Sequence, residues 1–147
     1  MNKIIRVSDL SKNFKKEKIS LRYPFQKPNE LQQASKYCYK NYEKIIKILS
    51  YNLNEIHQLD WPVRSWKILI GPWLARLIET AYEKWEVVKK LESKPNLTIY
   101  SPKIDYNFNC FDMQDFADKT QSAEWNEQIY SYLIKNYTNL KIKEKNK

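Results

Sequence analysis

A mainly α-helical fold with two short strands is the class this sequence predicts, and three observations carry it. Apolar residues recur at three- and four-residue steps from Leu31 to Ile56 and again from Val63 to about Leu91, the period of one buried helix face. Strand-like character is confined to two short stretches, near 18–23 and 97–100, by alternation in the first and β-branched content in the second. A hydrophobic content of 42%, with 14% aromatic, suits a folded chain with a ring-rich core rather than a disordered one.

Taken in order, residues 1–17 are polar and lysine-rich after Ile4-Ile5 and predict a basic, loosely structured segment. Lys18-Ile19-Ser20-Leu21-Arg22-Tyr23 alternates polar and apolar, and Pro24 and Pro28 end it. Leu31, Ala34, Cys38, Tyr42, Ile45, Leu49, Leu53 and Ile56 then define the core face of a helix over about 30–57, with Asn29 as its candidate N-cap. Such a helix is roughly 40 Å long. Lys36, Lys40, Lys44 and Lys47 with Glu43 form its solvated face. Asp60 is placed to cap a second helix over about 61–91, in which Pro72 directly follows Gly71, the one glycine of the chain. A proline inside a helix costs about 3 kcal/mol, so this helix either kinks or is rebuilt as two helices meeting at Gly71.

Glu92 to Asn96 reads as a turn, Leu97 to Tyr100 as a strand, and 103–111 as irregular. Asp112 is placed to cap a short helix over Met113 to Lys119, and Ser122 a C-terminal helix over about 122–137 that buries Ile129, Tyr132, Leu133 and Tyr137. The expected organisation is a basic segment 1–17, one folded domain 18–138 and a lysine-rich tail 139–147.

The formal charge of +9 invites a nucleic-acid reading until it is located. Residues 1–22 carry seven basic residues against Asp9 and Glu17, residues 135–147 carry five lysines against Glu144, and 23–134 is neutral, with fourteen of each sign. The excess therefore belongs to the ends rather than to a folded face. No apolar run reaches the roughly 18 residues of a membrane span, and the lysines at 12, 15, 16 and 18 interrupt any signal-peptide core. Cys38 and Cys110 are expected as free thiols.

Several chemistries are excluded by composition. A single glycine leaves no glycine-rich phosphate cradle and no dinucleotide fingerprint. One histidine and two scattered cysteines do not furnish structural zinc, so no metal and no cofactor is expected. Cys38 and His57 lie about 28 Å apart along the first helix by its rise, too far for a nucleophile–base pair. Asp112, Asp115 and Asp118 fit capping and the helix dipole as well as paired carboxylate chemistry.

Leu53-Asn54-Glu55-Ile56-His57, followed by Arg64-Ser65-Trp66-Lys67-Ile68-Leu69-Ile70-Gly71-Pro72-Trp73-Leu74, resembles the N-terminal region of a family of bacterial transferases encoded in O-antigen and other surface-polysaccharide loci. Those proteins carry a similar Leu-Asn, His, Arg-aromatic-Trp and Ile-Gly-Pro-Trp-Leu series in this order. Asp112-Met113-Gln114-Asp115-Phe116 and Glu124-Trp125-Asn126 resemble the family's Asp-Met-Asp-Glu-Phe and Asp-Glu-Trp-Asn segments, so the likeness spans roughly residues 20–137. Two features depart from it. No Leu-Gly-Glu-Trp-Cys motif precedes Lys18, and Arg22-Tyr23-Pro24-Phe25 stands where relatives show His-Trp-Asp-Asp.

The resemblance implies the acceptor-side, N-terminal portion of a glycosyltransferase-like enzyme, a fragment or diverged domain with no complete catalytic constellation and no assigned catalytic residue. Its partners would be a C-terminal transferase half and a sugar acceptor, and its place the cytoplasm or the inner-membrane periphery. In that context the two strands would be pieces of a larger parallel sheet. His57, Arg64, Trp66 and Trp73 are the candidate substrate-binding residues, and Gly71 and Pro72 the structural kink. Each has a plainer role: Trp66 and Trp73 as core rings, His57 as a helix-end residue matched to the dipole, and Arg64 as a salt-bridge partner of Asp60 or Glu55. The alternative function is a basic helical module whose lysine-rich ends contact nucleic acid or an anionic membrane, or a pure protein-interaction domain.

Overall fold

The computed structural model describes residues 3–10, 15–16, 19–20, 24–94, 97–102 and 108–145. In chain order the elements are β1 (Lys3–Arg6), α1 (Val7–Leu10), β2 (Lys15–Lys16), β3 (Ile19–Ser20), α2 (Pro28–His57), α3 (Val63–Leu69), α4 (Gly71–Glu92), β4 (Leu97–Pro102), α5 (Met113–Gln121), α6 (Ala123–Tyr137) and β5 (Lys141–Lys145). The fold is mainly helical, as the periodicity requires. Of the expected strand over 18–23, residues 18 and 21–23 lie outside the described residues, as do 95–96 of the turn and 103–107 of the irregular segment. The chain divides into two compact units, Met1–Pro24 with Glu83–Lys147, and Phe25–Tyr82.

The first unit is organised on a three-stranded parallel sheet of order β1-β4-β5. β4 is central, with Ile5 opposite Ile99 on one side and Ile142 opposite Ile99 on the other. Leu97, Thr98, Ile99 and Ser101 of β4 are all buried, as befits a parallel strand covered on both faces. The flanking strands alternate instead: Ile4 is exposed beside buried Ile5, and Ile142 is half-buried between exposed Lys141 and Lys143. Both flanking strands fall where the sequence predicts loose basic ends. Their order comes from pairing to β4, which no local pattern encodes. β2 and β3 pair antiparallel with each other.

One core cluster holds this unit together. Val87, Val88 and Leu91 of α4, Tyr130 and Ile134 of α6, and Val7 and Leu10 of α1 close around Ile5, Leu97 and Ile99. α6 presents Tyr130 and Ile134 inward, while Tyr132 and Tyr137, expected on the buried side, are exposed. The inward row Asn126, Tyr130 and Ile134 follows i, i+4 steps, so the true face is rotated from the one that the aromatic residues suggested. Asp112 caps α5 by accepting from the Asp115 N–H at 2.8 Å, and Ser122 caps α6 by accepting from the Trp125 N–H at 3.1 Å.

In the second unit α2 buries Ala34, Cys38, Ile46 and Ser50. Leu31 and Ile56, expected in the core, are exposed, and Ile46 rather than Ile45 is sealed. The buried row follows i, i+4 steps, and a row at that spacing drifts round the helix along its length, leaving its ends uncovered. The α2 N-cap is Lys27, not Asn29. Pro28 occupies the first helical position, and the Glu30 carboxylate accepts from the backbone N–H groups of Gln26 and Lys27 at 3.1 and 3.2 Å. Phe25 stacks on Tyr82 at 5.7 Å, and Tyr37 lies against the same ring at 4.7 Å.

The expected helix over 61–91 is two helices, α3 and α4, meeting at Ile70 and Gly71. Pro62 holds the N-cap position of α3 and Asp60 does not cap it. Helical hydrogen bonding nevertheless carries through the junction, since Ile70 N–H donates to Trp66 O and Leu74 N–H to Ile70 O, both at 2.9 Å. Pro72 sits in the first turn of α4, where its missing N–H costs nothing.

Gly71 is required by space and not by backbone conformation, because no glycine here has positive φ. A Cβ on Gly71 would stand 2.6 Å from the Tyr42 hydroxyl oxygen of α2. Gly71→Ala is therefore expected to destabilise the chain by about 1–3 kcal/mol through overpacking, and Tyr42→Phe in the same chain should recover most of the loss. Urea denaturation of the single and double variants checks this.

Candidate functional site

The sequence candidates converge in part at the corner where α2 ends and α3 begins. α2 stops in a Schellman motif: Gln58 is left-handed at φ 55 and ψ 43, its N–H reaches Glu55 O at 3.4 Å, and Leu59 N–H reaches Asn54 O at 2.9 Å. Gln58 is the one non-glycine residue with positive φ among those described. Reversing the chain this tightly returns Trp61 and Trp66 to the side chain of Asn54.

The Asn54 carboxamide is the clasp of this corner. Its oxygen accepts from Trp66 Nε1 at 2.9 Å and from the Trp61 backbone N–H at 3.2 Å, and its nitrogen donates to Trp61 O at 2.8 Å. Indole and peptide N–H groups are donors only, so the amide orientation is set by its partners. Trp61 and Trp66 lie with ring centroids 5.2 Å apart, and His57 stacks on Trp66 at 6.4 Å and 30°.

Exposure separates the roles. Trp66 is only 4% exposed and serves as the buried backing, whereas Trp61 is 43% exposed and His57 also faces solvent. Trp61 is thus the more accessible of the two indoles, and sequence reasoning did not single it out. Arg64 is exposed in the first turn of α3. Among the described residues it forms no ion pair with Asp60 or Glu55, and the Glu55 carboxylate instead accepts from the Tyr51 hydroxyl at 2.8 Å. That bond holds the Tyr51 hydroxyl above its ordinary pKa. Trp73 is half-buried in the first turn of α4, and the ring contacts of this corner among the described residues do not include it. Of the four candidates, His57 and Trp66 are in contact at the corner, and Arg64 lies two residues before Trp66 on α3.

Beside it, Lys67 binds both oxygens of the Glu43 carboxylate, at 2.7 and 2.9 Å, which raises the Lys67 pKa. Its ammonium stands 6.0 Å from the Tyr42 ring centroid. This pair ties α3 to α2 and leaves no spare charge for chemistry.

The acidic cluster of the first unit is absorbed by structure. Asp112 caps α5, Asp115 accepts from Lys119 Nζ at 2.7 Å and from the Phe111 N–H at 2.9 Å, and Asp118 accepts from Gln114. The Lys119 bond and then the Phe111 N–H hold the Asp115 carboxyl below its ordinary range. A depressed carboxylate contributes stability above its unfolded pKa, roughly 3.9, and that contribution is lost as pH falls through the folded value. Amide protection in α5 is accordingly expected to hold at neutral pH and to weaken below about pH 4. In Asp115→Asn the acid-induced part of that loss should be smaller, as hydrogen exchange would show.

Cys38 is buried and Cys110 half-buried, both free, and burial is the main cause raising each thiol's pKa, the opposite of an activated nucleophile. Among the described residues no group of three His, Cys, Asp or Glu side chains is arranged to hold a metal ion, and no helix is long and apolar enough to cross a membrane. The corner presents a half-exposed indole and an exposed imidazole, with a guanidinium that makes no ion pair among the described residues. Indole faces suit apolar or sugar-ring faces, and a guanidinium suits phosphate or carboxylate.

Compared with known proteins, residues 4–147 match the model of a family described as LIC12162 family transferase. No curated protein and no solved structure matches the chain.

Proposed function

This chain belongs to the LIC12162 transferase family, and from that premise we propose that it forms the acceptor-side, N-terminal portion of a glycosyltransferase-like enzyme of surface-polysaccharide or O-antigen synthesis. The observation that supports the reading most is the corner clasped by Asn54, where Trp66 lies against both His57 and the half-exposed Trp61, with exposed Arg64 two residues before it on α3. In this reading Trp61 stacks on a sugar ring of the acceptor, Arg64 meets an acidic or phosphate substituent, and Trp66 and Asn54 hold them in place. The transfer step itself belongs to a C-terminal half that carries the donor.

Co-expression with the C-terminal portion of a LIC12162 relative is expected to yield a complex stable through size-exclusion chromatography. Two proteins that elute separately would count against the proposal. Neighbouring reading frames supply an independent check, since polysaccharide genes beside this one are expected and their absence would remove the biosynthetic context.

A second reading rests on the charge at the ends, including exposed Lys141 and Lys143 on β5. As a basic module the chain would bind nucleic acid or anionic vesicles with an affinity that falls steeply with salt. Binding that ignores salt, or none at all, eliminates this reading.

A further inference from the structure

A separate feature lies in the first unit. α4 buries Lys84, Val87, Val88 and Leu91 in one stripe, so a lysine occupies a position that the helical repeat reserves for core side chains. Lys84 is 7% exposed. Its ammonium stands 5.3 Å from the Tyr130 ring centroid of α6. Among the described residues it makes no ion pair and donates no hydrogen bond. Glu83 acts on both Lys84 and Tyr130 through space without pairing.

An ammonium held like this has three donors and no acceptor, and a charge out of water is costly unless it is paired. Burial accordingly lowers the Lys84 pKa. The nitrogen is not among the fully sealed, unpartnered polar atoms of the described residues, which are Trp125 Nε1 and Asn126 Oδ1, so it keeps some contact with solvent. Its place in the fold is also informative. Ser131, next to Tyr130, shares a 2.7 Å hydrogen bond with Ser101, near the C-terminal end of the central parallel strand. Open parallel sheets bind their ligands outside the C-terminal ends of their strands.

We infer that Lys84 is the cationic anchor of an oxyanion subsite, taking a phosphate or carboxylate group of a ligand against the Tyr130 ring at the C-terminal end of the sheet. The incoming oxygens supply the acceptors that the protein leaves out. The cation–π contact with Tyr130 holds the ammonium in place until they arrive. This inference does not depend on the acceptor-side reading, because no residue of the α2–α3 corner takes part.

The test is a titration of the whole chain with inorganic phosphate and, separately, with acetate, following the Lys84 Cε resonance and the Tyr130 ring by NMR against sodium chloride of equal ionic strength. Saturable movement of both signals is expected, and the stronger of the two arms identifies the group. Lys84→Met should weaken the apparent affinity by about tenfold or more, the loss of one charged hydrogen bond, while Lys84→Arg should retain binding. Movement no larger than in chloride, or unaltered binding by Lys84→Met, overturns the inference and makes Lys84 a packed stem. Should Lys84→Met fail to fold, the wild-type titration decides alone.

Discussion

Trp66→Ala is expected to lower the unfolding free energy by about 3–5 kcal/mol, the range for removing a large buried aromatic side chain. The ring is almost wholly buried, touches both His57 and Trp61, and its Nε1–H satisfies the Asn54 oxygen. Alanine would forfeit the buried area, leave a cavity beneath the corner and weaken the clasp on Trp61. Trp66→Phe separates the contributions. It keeps a six-membered ring but loses the indole N–H and part of the buried ring, so about 1–3 kcal/mol is expected. Chemical denaturation of both variants measures the two effects. Equal losses would mean that the hydrogen bond, not the ring, holds the corner.

Ile99→Ala in the centre of β4 should cost about 2–5 kcal/mol. Ile99 is fully buried, lies in the core cluster of the first unit, and is paired across to Ile5 and Ile142. Ile99→Val, which removes one methylene and keeps the β-branch suited to a strand, should cost about 0.5–1.5 kcal/mol. A graded loss identifies β4 as the strand on which the sheet depends. Losses below 1 kcal/mol for the alanine variant would show that the two strands flanking β4 are not stably paired.

Much of the helical architecture is legible because its signals are local. Asp112 and Ser122 announce the starts of α5 and α6 by capping chemistry, and Pro72 after Gly71 marks the α3–α4 junction. The two outer strands are not legible, for a physical reason. Lys3-Ile4-Ile5-Arg6 and Lys141-Ile142-Lys143-Glu144-Lys145 carry the charges that edge strands use to discourage further pairing, and only contact with β4 makes them strands.

The candidate site shows the same division. His57, Arg64 and Trp66 stand out in sequence as family-like residues, but the element that assembles the corner is a left-handed Gln58 followed by a return to Asn54. Glutamine has no special tendency toward positive φ, so the turn has no local signature. The i+7 and i+12 bonds from Asn54 follow from that turn alone. Lys84 is hidden differently: a lysine in an apolar stripe ordinarily extends its head to water, and only the three-dimensional arrangement shows its ammonium against Tyr130 without a carboxylate.

The measurement closest to the central proposal is a titration of the chain with oligosaccharide repeat units from bacterial surface polysaccharide, read on the indole N–H signals by NMR, for wild type and Trp61→Ala. If the corner receives an acceptor, the Trp61 signal should shift saturably, the Trp66 signal, held by Asn54, should move less, and Trp61→Ala should bind about tenfold more weakly, the loss of one ring–sugar stack. Unmoved indole signals, or equal binding by Trp61→Ala, would contradict the assignment of this corner to acceptor recognition.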